Sequence, residues 1–192
     1  GLLKTGRKAF ERSSHPAHFT GSCFIVDPRE GKTLLVHHRK LERWLQPGGH
    51  CDGVPDPFVV AWIEAYEETG LDEVIPWLPH SILDFDVLEV PAHLDVPAHL
   101  HYDVRYLFTA DSFAPLAVSE ESYALSWVRL DEIASVADDP SLFVLRDKAL
   151  AVLDSRSPLG RPVPSADGAD SPVVPVGAPG GGGESAAEGG NG

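Results

Sequence analysis

The chain has no methionine, only two cysteines, Cys23 and Cys51, and far fewer basic than acidic residues. Two thiols supply neither a disulfide framework nor a four-ligand zinc site by themselves, so a reducing, cytoplasmic setting is expected. A sequence that opens at Gly1 without Met is expected to start at a processed or engineered boundary, and its first residues lack an apolar signal-like segment. No run of 18 apolar residues occurs, which excludes a transmembrane helix and a membrane partner. With 15 Lys and Arg against 29 Asp and Glu, the formal charge is −14, so the basic footprint of a nucleic-acid-binding protein is missing. The same charge repels an anionic small molecule at long range. A phosphate-bearing ligand would therefore need a local cation as mediator.

Aromatic residues are also absent from the end of the chain. From position 155 onward there is none, and a single leucine, Leu159, stands among 10 of the 18 glycines and 6 of the 17 prolines. Such a segment buries too little apolar surface to offset the entropy of ordering, so 155–192 is expected to be a disordered Gly/Pro/Ala-rich tail. That leaves one domain over 1–154, with its ordered core at about 10–154.

Within this domain Phe19–Val26 and Thr33–His38 read as strands, joined after the Asp27-Pro28 turn as a hairpin. Pro57–Thr69 reads as a helix, with Asp56 as N-cap, Pro57 at its first position and Gly70 closing it. Ile82–Val90, His99–Ala110 and Leu125–Leu130 read as further strands. Asp131-Glu132 opens a helical turn, and 141–154 has helical periodicity with Leu142, Leu145, Ala149 and Val152 near one face. Strands, a helix, more strands and a terminal helix give an α/β or α+β sandwich.

Chemistry concentrates in WLQPGGHCDGVPDPFVVAWIEAYEETGL, residues 44–71. Glu64, Glu67 and Glu68 stand at i, i+3 and i+4, which places them on one helix surface. Like charges so placed weaken a helix unless a hard cation, which prefers oxygen ligands, sits among them. Acidic pairs on helices are ordinarily a solvated face. The Gly48-Gly49 pair upstream permits close backbone approach to the same place.

The stretch resembles the box of the Nudix hydrolase family, G-x5-E-x7-R-E-U-x-E-E-x-G-U with U a bulky aliphatic. Gly49, Glu64, Ala65, Glu67, Glu68, Gly70 and Leu71 fall at the family spacing. With the flanking strands and a closing Trp127–Glu132 element, the likeness covers roughly 18–135. It implies a Nudix-like α/β/α sandwich with a mixed sheet and a catalytic loop-helix. It also implies cleavage of a nucleoside diphosphate linked to another moiety, a small nucleotide or phosphate-ester substrate. Mg²⁺ or Mn²⁺ would be held by Glu64, Glu67, Glu68 and Gly49, with Glu67 and Glu68 also catalytic. Homodimers are frequent in the family.

Two positions depart from the box: Pro55 replaces its first glutamate and Ile63 its arginine. In the family these two are mainly structural, orienting the loop and the carboxylates. Losing both leaves no unpaired buried charge, although an altered second shell typically costs 10–100-fold in metal affinity or activity. Asp56 is positioned to take part of the glutamate's work. The departures also motivate a rival reading, a weakened or inactive Nudix scaffold that binds a nucleotide or a protein.

A general base is also required, and Glu120 and Glu121, just before the last strand, are the candidates, with Glu121 preferred. An exposed acidic loop is their plainer explanation. On HLHYDVRYLF, alternation puts His99, His101, Asp103 and Arg105 on one side. The plain reading is a half-buried strand with one wet face; the functional one has His101 or Arg105 lining the substrate cleft. A His-x-His pair is a weak metal signal. Arg39, in the basic island His37–Lys40, is a candidate phosphate contact, though a solvated loop is its commoner meaning. Cys51 has no supporting context as a nucleophile.

Overall fold

The computed structural model describes residues 2–155 and 174–175, with side chains from residue 6 to residue 155. A kinked 3-10 stretch, Leu2–Phe10, precedes the first strand. The strands are β1 (Ala17–Asp27), β2 (Lys32–His38), β3 (Arg43–Leu45), β4 (Gly48–His50), β5 (Ile75–Pro76), β6 (Ile82–Val90), β7 (His99–Thr109), β8 (Ser122–Arg129) and β9 (Val174–Pro175). The helices are α1 (Pro57–Thr69), α2 (Ile133–Val136) and α3 (Pro140–Ser155). Apart from β9, the expected tail lies outside the described residues.

One mixed sheet runs β5-β7-β1-β2-β8-β9, with β3 on β2, β4 on β1 and β6 on β7. Strand β1 is its axis. It pairs in parallel with β7 from Ala17–Leu100 to Val26–Thr109. Its end forms the expected antiparallel hairpin with β2, and β4 pairs antiparallel with its middle, Thr20 opposite His50 and Ser22 opposite Gly48.

Alternation along β1 divides the core between two faces. Cys23 and Ile25 join Phe58, Ala61 and Ala65 of α1 and Tyr106 and Phe108 of β7. Phe24 and Val26 join Leu107 of β7 and Leu142, Leu145 and Ala149 of α3. A strand buried on both faces explains the continuous apolar run CFIV. The result is a mixed α+β fold with helices on both sides of the sheet.

Helix α1 has the bounds that its local signals dictate. The Asp56 carboxylate accepts from the Phe58 N–H at 3.0 Å, and the Gly70 N–H closes the last turn on the Tyr66 carbonyl. Gly70 is left-handed, at φ 67°, the conformation glycine adopts without a Cβ penalty. Gly21 lets the helix approach the sheet, because a Cβ there would lie 2.3 Å from the Pro57 carbonyl oxygen.

Candidate active site

The three glutamates of α1 share one surface but not one environment. Glu68 is buried, Glu64 half-buried and Glu67 exposed. Glu68 Oε2 accepts a hydrogen bond from the Gly48 N–H at 2.8 Å. Glu64 packs against Gly49 so closely that a Cβ on Gly49 would lie within 1.9 Å of Glu64 Oε1. The glycine pair of β4 is thus the floor under two carboxylates, and any side chain at Gly49 would displace the Glu64 carboxylate from this position.

Burial pushes Glu64 up to about 7, with the charges of Glu67, Glu121 and Asp52 adding to the rise and Arg12 opposing it. Burial likewise pushes Glu68 up to about 8; the Gly48 hydrogen bond pulls it back, and Glu64 and Glu121 raise it further. Among the described residues, neither Glu64 nor Glu68 has a salt-bridge partner. Buried carboxylates without a counter-ion are costly, and perturbed groups of this kind cluster at functional sites.

Of the two loop glutamates, Glu121 is the one whose charge raises both Glu64 and Glu68. The loop that carries it is tied down: the Arg39 N–H donates to the Glu121 carbonyl at 2.9 Å, and the Arg39 side chain donates to the Ser122 carbonyl at 3.0 Å. Arg39 is exposed and lies over the Tyr123 ring, 4.8 Å from its centroid. It therefore packs on the segment that carries Glu121. Arg12, from the N-terminal segment, pairs through its guanidinium with Asp52 and lies near enough to Glu64 and Glu121 to feel their charge. Sequence reading passed over Arg12, because it lies 52 residues ahead of Glu64 and in no motif.

Solved structures share this arrangement of sheet and helix. A Nudix-family hydrolase of Clostridium perfringens is 26% identical, aligned over 71% of this chain and 97% of its own, with a TM-score of 0.56. The fold is Nudix. An Ap4A hydrolase of C. elegans (18% identity, 71% of this chain and 98% of that one, TM-score 0.54) and the E. coli dihydroneopterin triphosphate pyrophosphohydrolase (14%, 69% and 95%, TM-score 0.54) have the same fold. No family model matches the chain, and no curated protein matches it in sequence. Together the solved structures show the Nudix fold in this chain.

Of the positions that depart from the Nudix box, Pro55 and Ile63 are both exposed. Asp56, the expected stand-in for the box glutamate, is engaged as the α1 cap, and its other oxygen is 3.8 Å from the His80 ring.

The face of β7 that was expected to be wet is buried. Arg105 is 1% exposed and sits between Asp103 (2.8 Å), Asp86 (3.1 Å) and Asp84 (3.2 Å). Asp103 also accepts from the Thr20 and Ser22 hydroxyls, each at 2.8 Å. His101 is half-buried among other imidazoles. Both residues alternate with Tyr106 and Phe108, and so point to the α3 side of the sheet, away from Glu64. The structure therefore does not bring His101 or Arg105 to the carboxylates; Arg105 is an internal counter-ion with its donors occupied. Cys51 is buried, with its thiol pushed up to about 12 by that burial, which leaves no thiolate to act as a nucleophile.

Proposed function

We propose that this chain hydrolyses a diphosphate bond, with a nucleoside diphosphate derivative as substrate and Mg²⁺ or Mn²⁺ as cofactor. The observation that carries the reading is half-buried Glu64 and buried Glu68, without a salt-bridge partner among the described residues and raised in part by the charge of Glu121. The donor set fits the ion: all its side-chain ligands are oxygens, and the glycine floor keeps room for them. Glu64, Glu67 and Glu68, with the Gly49 carbonyl, would hold the cation. When bound, it offsets the diphosphate charge and makes a water a stronger nucleophile.

The chain's own residues supply the rest. Glu121 accepts the proton of the attacking water; the support is that its charge acts on Glu64 and Glu68 and that Arg39 ties down its backbone. Arg39, exposed and packed on the Glu121 segment, meets a phosphate oxygen and counters the long-range repulsion of the −14 chain. Glu68, fixed by Gly48, keeps one oxygen oriented throughout. Pro55 and Ile63 remove the orienting ion pair of the box, and reduced turnover relative to an intact box follows.

A panel of nucleoside diphosphate derivatives with Mg²⁺ and Mn²⁺ tests the reading. At least one should yield a phosphate-bearing product, and Glu68→Gln should bring that rate to background. Equal rates for wild type and Glu68→Gln would sink it, and nucleotide binding without turnover under either ion would favour a binding scaffold.

A further inference from the structure

Four of the nine histidines converge on the sheet face opposite the carboxylates: His18 from β1, His50 from β4, and His99 and His101 from β7. Ring centroids of His18 lie 4.7 Å from His101 and 5.0 Å from His99, and those of His50 and His101 are 4.9 Å apart. The potential ligand atoms of His18, His99 and His101 all lie within 4.8 Å of one another, and the Nε2 atoms of His99 and His101 are 3.2 Å apart.

Packing alone does not account for where the protons sit. His99 Nδ1 is 2.9 Å from the Pro97 carbonyl, and His18 Nδ1 is 3.3 Å from the Ser14 carbonyl. A carbonyl only accepts, so in both rings Nδ1 carries the hydrogen and Nε2 presents a lone pair. A proton on His101 Nε2 satisfies His99. It leaves His18 Nε2 without a partner, in a residue 1% exposed. Leaving a buried acceptor bare costs about 1–3 kcal/mol. An Nδ1–H anchored on a carbonyl is also how metal-ligating histidines are usually oriented.

The geometry points to a second metal centre, in which the Nε2 atoms of His18, His99 and His101 ligate a borderline divalent ion of the zinc class, with His50 as the adjoining fourth ring. Neutral imidazoles suit Zn²⁺, Cu²⁺ and Ni²⁺, whereas Mg²⁺ and Mn²⁺ prefer oxygen. Tetrahedral Zn²⁺ at roughly 2.0–2.1 Å from each nitrogen sets neighbouring nitrogens about 3.3 Å apart. The His99–His101 separation already meets this value, and the remaining spread closes by side-chain rotation. His18 and His99 already offer Nε2 lone pairs, and His101 joins them once its proton moves to Nδ1. A cleft bordered by Pro16 and Glu89 reaches His99, one of the three proposed ligands. The bound ion clamps the start of β1 to that of β7. This centre is independent of the hydrolase reading, because the two donor sets share no side chain.

The test uses the metal-stripped full chain titrated with Zn²⁺ against a chromogenic chelator, and with Co²⁺ followed by its visible absorption. One equivalent of Zn²⁺ should bind, raise the melting temperature, and be unaffected in Glu64→Gln/Glu68→Gln. His101→Gln should weaken it by more than about 100-fold, beyond the 10–100-fold caused by losing a merely orienting neighbour. His99→Asn is read in its place if that variant does not fold. Co²⁺ should give the intense bands of a tetrahedral nitrogen site. Absence of stoichiometric Zn²⁺ binding, unchanged affinity in the folded histidine variant, loss of binding in the glutamate variant, or only faint octahedral Co²⁺ bands overturns the proposal.

Discussion

On the α1 side of β4, half-buried Glu64 and buried Glu68 have no salt-bridge partner among the described residues, and burial raises them to about 7 and about 8. On the α3 side, Arg105 is enclosed by Asp84, Asp86 and Asp103, Lys148 pairs with Asp84, and burial lowers His18, His50 and His101 toward the neutral ring. One three-residue strand serves both, since Gly49 faces Glu64 while its neighbour His50 faces the histidines. The paired side gives each of its three carboxylates a cation partner. The other side gives none among the described residues, so its carboxyls ionise only at a cost that a cationic ligand would offset. The comparison gives the proposed chemistry on the α1 side an argument that does not depend on the motif.

The largest effect that sharpens this contrast concerns Glu121. Glu121→Gln should lower kcat by about 10²–10⁴-fold, the contribution of a general base, and Glu120→Gln should leave it unchanged. Steady-state rates on whichever substrate the panel identifies check this, and similar losses in both variants would break the assignment. On the other face, Arg105→Leu should cost about 3–5 kcal/mol of stability in denaturant melts, because three carboxylates lose their shared cation. A near-neutral result would mean that the face is less enclosed than its burial implies.

A smaller effect separates the faces by pH. Glu64 and Glu68 titrate near 7 and 8 when folded, above their ordinary value of 4.5. The unfolded chain therefore releases these protons first, and stability falls as pH rises through 4.5 toward 8. His50 and His101 titrate near 4 and 3, below 6.5. The unfolded chain gains those protons first, so stability falls as pH drops below 6.5. Between pH 6.5 and 8 only the carboxylate effect remains. In chelator, the melting temperature should decline across that window, and Glu64→Gln/Glu68→Gln should flatten the decline. A flat wild-type profile would contradict it.

Much of the α1 side was legible because its signals are local. Asp56, Pro57 and Gly70 fix the helix to the residue, and the spacing of Glu64, Glu67 and Glu68 fixes their shared surface. Strands β3 and β4 were not legible, because RWL and GGH owe their conformation to pairing with β2 and β1 rather than to propensity. The same reason hid the histidine cluster. His18, His50 and the His99/His101 pair meet only through the registers of β1 with β4 and β7, and only the His-x-His fragment was visible beforehand. The wet reading of Arg105 failed likewise. Asp84 and Asp86, which neutralise it, sit on a neighbouring strand whose register no local pattern announces, although alternating aspartates on β6 were a usable signal.

The central claim is that the α1 carboxylates form a divalent-cation centre, and Mn²⁺ binding followed by electron paramagnetic resonance tests it most directly. At pH 8 the wild type should sequester Mn²⁺, and Glu64→Gln/Glu68→Gln should leave the free-ion signal intact. Equal sequestration by both proteins, or none by the wild type, would contradict the account.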